Sequence, residues 1–246
     1  MSEQASRLPG LVSIEELSYA QAVSIAIYGP AGVGKTTLAF SFPTKSRRFA
    51  FDFEAGLRVV KNVRDTDVYR AVTYQQLNAG IDFLEKDIEH DTVIVDSATE
   101  LGRVVQLNSV ASNPSARPHP ELTTMQDFYL TVERMRNITR RIRLLIQKGK
   151  TVIFTLAETV EKDANTGRLI GVPELPGKQL GAELCYLMDE VYRMTPGSAQ
   201  GEAGQRFIVT QPDSIFTSKT RVPNAPARIL VPKDNPSKAF EHIMKG

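Results

Sequence analysis

Nine consecutive residues constrain this chain more than any other stretch: Gly29-Pro30-Ala31-Gly32-Val33-Gly34-Lys35-Thr36-Thr37. They satisfy the pattern G-x-x-x-x-G-K-[ST] at every fixed position. The residues before it, Val23 to Tyr28, read as a buried strand, and Thr36 to Phe40 read as the first turns of a helix. Gly29, Gly32 and Gly34 permit backbone conformations closed to other residues, so successive N–H groups turn inward toward phosphate oxygens. The helix start adds unpaired donors and a partial positive charge. Lys35 supplies a full charge for the β- and γ-phosphates, and the Thr36 hydroxyl is placed to ligate Mg²⁺. The stretch through Thr37 therefore predicts a site for ATP and Mg²⁺.

The rest of the chain alternates strand and helix signals. Strands are expected at 48–53, 67–72, 91–97 and 151–156, with helices at 74–89, 98–111, 123–148 and 178–188. Residues 112–120 hold three prolines and read as a loop, and 158–175 read as a loop or hairpin. Strands 190–194 and 206–210 flank a Gly/Ser-rich turn, which suggests an antiparallel hairpin added to a sheet. The predicted fold class is thus α/β, a phosphate-loop fold with a mainly parallel sheet covered by helices on both faces. Residues 1–20 read as a lead-in, 21–222 as the core, and 223–246 as a Pro-rich tail with a short helix at 236–244. With 41% apolar and 24% charged residues the chain has the composition of a soluble globular protein. A net charge of +2 leaves any basic surface local. No apolar run approaches a membrane span, and no secretory leader is evident, so the cytoplasm is the expected compartment. Cys185 is alone, in an apolar run, and reads as a buried small hydrophobe.

Asp96 closes an apolar strand 61 positions after Lys35. An acid there is the expected second holder of Mg²⁺. The residue after it is Ser97, so the group that activates water must come from elsewhere. Glu54 is the leading candidate: it follows the strand ending at Phe53, and parallel strands bring their C-terminal ends to the edge that carries the phosphate loop. Glu100 and Glu158 are the alternatives.

Phe51-Asp52-Phe53-Glu54-Ala55-Gly56-Leu57 resembles the strand-plus-glutamate segment of RecA-type ATPases. Val93-Ile94-Val95-Asp96-Ser97-Ala98-Thr99-Glu100-Leu101 is similar to their Mg²⁺ strand. Within that superfamily the chain looks most like phage-encoded RecA-core proteins of the single-strand annealing type, in which Pro176-Gly177-Lys178 and the following helix and strand, to Tyr192-Arg193, have counterparts; the likeness spans about residues 22–222. The resemblance implies a Mg·ATP-dependent hydrolase that forms a homo-oligomeric ring or filament. It further implies action on single-stranded DNA in recombination or annealing, in the host cytoplasm. It places DNA-binding loops at 112–122 and 158–175, with Arg117, Lys162 and Arg168 as the contacts. Relatives carry a His after the strand 151–156, where this chain has Ala157-Glu158; phosphate sensing then falls to Thr155 or Glu158. Lys219 and Arg221 look like a Lys-x-Arg pair that reaches the γ-phosphate of a neighbouring subunit. Two cations at i and i+2 on an extended segment face one side, as such a pair requires.

Residues 134–150 hold seven Lys or Arg and no acid. We read them first as the outer face of an amphipathic helix, and second as a surface for a polyanion. Two other function classes fit the phosphate loop: a small-molecule kinase, and a non-catalytic nucleotide switch.

Overall fold

The computed structural model describes residues 22–112, 122–162, 167–177 and 179–244. Ten strands and six helices appear among them: β1 (Ser24–Tyr28), α1 (Lys35–Phe40), β2 (Arg47–Asp52), β3 (Thr66–Tyr69), α2 (Tyr74–Lys86), β4 (His90–Asp96), α3 (Ala98–Ala111), α4 (Met125–Leu144), β5 (Thr151–Leu156), β6 (Glu158–Lys162), β7 (Leu169–Pro173), α5 (Leu180–Leu187), β8 (Glu190–Pro196), β9 (Arg206–Val209), β10 (Arg228–Leu230) and α6 (Glu241–Met244). Eight strands form one sheet in the order β10-β9-β8-β1-β5-β4-β2-β3. From β8 to β3 the pairings are parallel; β9 and β10 add antiparallel at the β8 edge. β6 and β7 form a separate antiparallel pair. This is the predicted architecture, and the stretch 158–175 resolves in favour of the hairpin.

The apolar runs explain the layering. β1, β4 and β5 are buried along their lengths, so both faces of the sheet must be covered. One face packs α2 to α5 through Leu77, Ile81, Leu101, Met135 and Leu184. The other packs α1 and the C-terminal residues through Leu38, Phe40 and Phe240. Helix starts are set by side chains: Thr73 with Gln76 and Thr124 with Asp127 form capping boxes. The long helix stops four residues before the predicted Lys148, where Leu145–Lys148 tighten into a 3-10 turn closed by Gly149 at φ 79°.

Residues 223–244, expected as a tail, join the core. β10 extends the sheet, Ala239 and Phe240 are fully buried, and Phe240 meets Phe42 edge-on at 5.0 Å between ring centres. The short helix predicted there is present as a 3-10 turn (Pro236–Phe240) running into α6. Among the described residues no helix is long and apolar enough to cross a membrane.

The basic stretch is largely neutralised within the chain. Arg136 pairs with Glu183 and Glu133, Arg141 with Asp82 and Glu85, and Lys150 with Asp87. Arg134 bonds Ser109 and Ser112 and lies over Tyr74. Apart from Glu133, one residue before the stretch on α4, the pairing acids stand on or beside other elements. Four of its cations are held in this way, so the stretch is in large part a packing face between helices rather than the outer face expected first, and those four do not form a surface for a polyanion.

Candidate nucleotide site

A cavity of about 400 Å³ opens at the C-terminal edge of the parallel strands, between the loop after β1 and the ends of β2, β4 and β5. The edge is where ligands bind in open parallel sheets. Two glycines make the loop possible. Gly29 has φ 151°, and a Cβ there would stand 2.3 Å from the carbonyl oxygen of Met194 on β8. Gly34 has φ 104° immediately before α1. Either position would be closed to an ordinary side chain.

The residues predicted to act together do converge. Lys35 Nζ donates to the carbonyl oxygens of Gly29 and Pro30, both at 2.9 Å. Burial lowers its pKa, while Glu54, Asp96 and Glu158 act against that by favouring the ammonium. The Thr36 hydroxyl donates to Asp96 across 3.1 Å to Oδ1 and 3.2 Å to Oδ2. Thr155 on β5 donates to Asp96 Oδ1 at 2.5 Å. Asp96 is 2% exposed, and burial pushes its carboxyl above the usual range, with Glu54 and Asp52 adding to the rise.

Neighbouring strands set the remaining positions. Asp52 lies in register with Asp96 on the adjacent strand, and the Phe53 N–H donates to the Asp96 carbonyl at 2.8 Å. The pairing thus continues to the residue before Glu54 and delivers its carboxylate to the cavity. There Ser97 donates to Glu54 Oε1 at 2.5 Å, while its oxygen accepts the Glu100 N–H at 3.3 Å. Of the alternative bases, Glu100 is paired with Arg103, and Glu158 with Arg193. Thr155, one of the two expected phosphate sensors, touches Asp96; Glu158 is held by Arg193.

The donor set suits a hard cation. It offers a hydroxyl and a buried carboxylate, all oxygen, and Asp52 Oδ1 nearby is buried without a partner among the described residues. One carboxylate and one hydroxyl match Mg²⁺, which keeps waters and phosphate oxygens for the rest of its shell. Thr36 and Asp96 would hold it, and it would supply charge to the phosphates.

Other predicted residues lie elsewhere. Lys219 and Arg221 are at the opposite end of β8: Lys219 pairs with Val191 through both backbone groups, and β8 begins beside Ile25. Lys219 Nζ caps the end of α5, donating to the Cys185 and Tyr186 carbonyls at 3.0 and 3.2 Å. Arg221 pairs with Asp189 at 3.0 Å. Neither can reach the cavity of its own chain. Lys162 and Arg168 are exposed at the tip side of the β6–β7 hairpin, and Arg117 lies outside the described residues. Cys185 is buried, and burial pushes its thiol up to about 12.

Sequence reasoning missed Arg206. It lines the cavity from the first position of β9, opposite Pro196 at the end of β8. Its only signal was its place after a Gly-rich turn, since a hairpin on β8 returns to the edge where β1 ends.

A family model described as an AAA domain matches residues 21–222. No curated protein matches the chain. Among solved structures, it is similar to the flagellar accessory protein FlaH from Methanocaldococcus jannaschii, with 10% identity, a TM-score of 0.42, and coverage of 85% of this chain and 84% of that one. It is also similar to a prototypical ATPase from the type III secretion system of pathogenic bacteria, with 15% identity and a TM-score of 0.43. That match covers 89% of this chain and 61% of the other.

Proposed function

Since this chain belongs to the AAA domain family, we propose that it binds Mg·ATP and hydrolyses it. The observation that carries this reading is the convergence on one cavity of Lys35, the Thr36–Asp96 pair and a Glu54 carboxylate oriented by Ser97. Lys35 and the loop amides bind the phosphates. Glu54 takes the proton of an attacking water. Thr155 fixes the Asp96 carboxylate, and the dry walls of β4 and β5 strengthen each charge interaction.

The substrate reading is single-stranded DNA in phage-type recombination or annealing, by a homo-oligomer in ring or filament form. The 51–57 and 93–101 segments support its RecA-type part, and the resemblance over residues 22–222, with Pro176-Gly177-Lys178, supports its phage-type part. A second support is the exposed Lys162 on a hairpin that begins two residues after Leu156. That hairpin continues from the strand whose Thr155 touches Asp96, so a route from nucleotide to hairpin is short. Steady-state ATP hydrolysis with and without single-stranded DNA, beside an assay of phosphoryl transfer to small acceptors, tests the proposal. Hydrolysis stimulated by DNA supports it. Transfer to an acceptor favours a kinase, and binding without turnover favours a switch.

A further inference from the structure

The cations around the β8–β9–β10 end of the sheet differ in one respect. Arg228 bonds both carboxylate oxygens of Glu202 and lies over Phe207, 3.5 Å from its ring centre. Arg193 bonds Glu158 and lies over Phe216 at 3.3 Å. Arg206, half-buried, makes no side-chain hydrogen bond or ion pair among the described residues.

Its place is fixed by the sheet. Arg206 pairs with Pro196, and its carbonyl accepts the Val231 N–H at 2.8 Å. From there the guanidinium lies against the phosphate loop: Nη1 is 2.5 Å from the position a Cβ on Gly34 would take. It also stands at a neck. One side is the cavity with Lys35 and Glu54; the other is a cleft of about 140 Å³ walled by Leu38, Met194, Val231 and Pro236. A guanidinium presents five donors in a planar fork that suits two phosphate oxygens at once. With no acceptor among the described residues, those donors are open to a ligand.

We propose that Arg206 binds the phosphate chain of the nucleotide in its own subunit, beside Gly34, as a second phosphate cation to Lys35. The inference rests on the Mg·ATP reading and deepens it. Arg206 thereby ties nucleotide to the antiparallel end of the sheet, which Lys35 does not touch.

Calorimetric titration of the full chain with Mg·ATP, Mg·ADP and Mg·tripolyphosphate tests this, using wild type, Arg206→Ala and Arg206→Lys. Arg206→Ala is expected to weaken all three by about 10- to 100-fold, the range for lost hydrogen bonds to a charged group. Arg206→Lys restores part of the loss, because it returns charge without the fork. Melting without ligand stays at the wild-type temperature, since no partner among the described residues is lost. Arg206→Ala binding within twofold of wild type overturns the inference while leaving the Mg·ATP reading intact. A lowered ligand-free melting temperature that Lys repairs also overturns it, by showing a structural role. A wild type that binds none of the three ligands overturns both readings.

Discussion

Ser97 donates its hydroxyl hydrogen to Oε1 of Glu54 across 2.5 Å, so the residue after Asp96 holds the candidate base that follows the neighbouring strand. The expected consequence is a graded pair of variants. Glu54→Gln keeps the shape and removes the base; nucleotide affinity stays, and hydrolysis falls by roughly 10²-fold or more. Ser97→Ala leaves the carboxylate but frees its orientation, for a smaller loss of about tenfold, a misplacement cost. Single-turnover hydrolysis with bound ATP measures both. Normal turnover in Glu54→Gln would remove it from the chemistry.

Lys35→Ala should lose hydrolysis while the fold survives, because among the described residues Lys35 bonds only two loop carbonyls. The thermal-shift experiment is the check. At a ligand concentration of about 100 Kd, Mg·ATP stabilises the wild type by roughly 2.7 kcal/mol. That shift should vanish in Lys35→Ala, with the ligand-free melting temperature unchanged.

The N-terminal end of β4 holds a buried charge cluster that sets an acid limit on stability. Burial alone would raise the pKa of Asp87, but bonds from Lys150, His90 and the Glu89 and His90 amides together hold it well below the carboxylate range. The folded value lies below the unfolded one, which is about 3.9. Its contribution is therefore complete above that pH and is lost as pH falls toward the folded value. Lys150→Met leaves Asp87 without its ammonium and should cost roughly 3–5 kcal/mol at neutral pH. Urea unfolding at pH 7 and pH 3 reads this: the deficit of Lys150→Met against wild type narrows in acid as Asp87 protonates.

Assembly makes a separate prediction. Arg221 sits at the sheet edge away from its own phosphate loop, paired with the 14%-exposed side chain of Asp189. If it serves a neighbour's site, Arg221→Ala binds Mg·ATP normally yet loses turnover by roughly 10³-fold. Specific activity of the wild type should rise with protein concentration. Mixing Arg221→Ala with Lys35→Ala subunits should recover activity, because one interface then joins an intact loop to an intact arginine. Concentration-independent turnover by a monomer would rule the trans role out.

The sheet and the phosphate loop were readable because each depends on residues adjacent in sequence: buried runs such as Thr92–Val95, and glycines at fixed intervals. The placement of Glu54 at the cavity was readable for a related reason, since parallel strands share an edge. What local pattern could not supply was partners. The seven cations of 134–150 looked unopposed because Glu183, Asp82, Glu85 and Asp87 belong to other elements. Lys219 looked available, yet the end of α5 takes up its ammonium. Arg206 looked ordinary, because only the β8–β9 register shows what it faces. The prolines after Pro223 suggested a tail, but three residues of strand and one buried Phe240 suffice to dock it.

The neighbours of β1 fix an order of events during synthesis. Ser24 pairs with Val152 on one side, and Ile25 pairs with Glu190 on the other. The strand that anchors the phosphate loop therefore emerges from the ribosome long before either flank exists. Gly29 reaches its packing position against Met194 only when β8 has been made. Nucleotide cannot guide the early chain, because the loop has no rigid base to present its amides. Mg·ATP bound as proposed would therefore clamp only a nearly finished domain, so ribosome-bound chains ending before Pro196 should gain no protease protection from it.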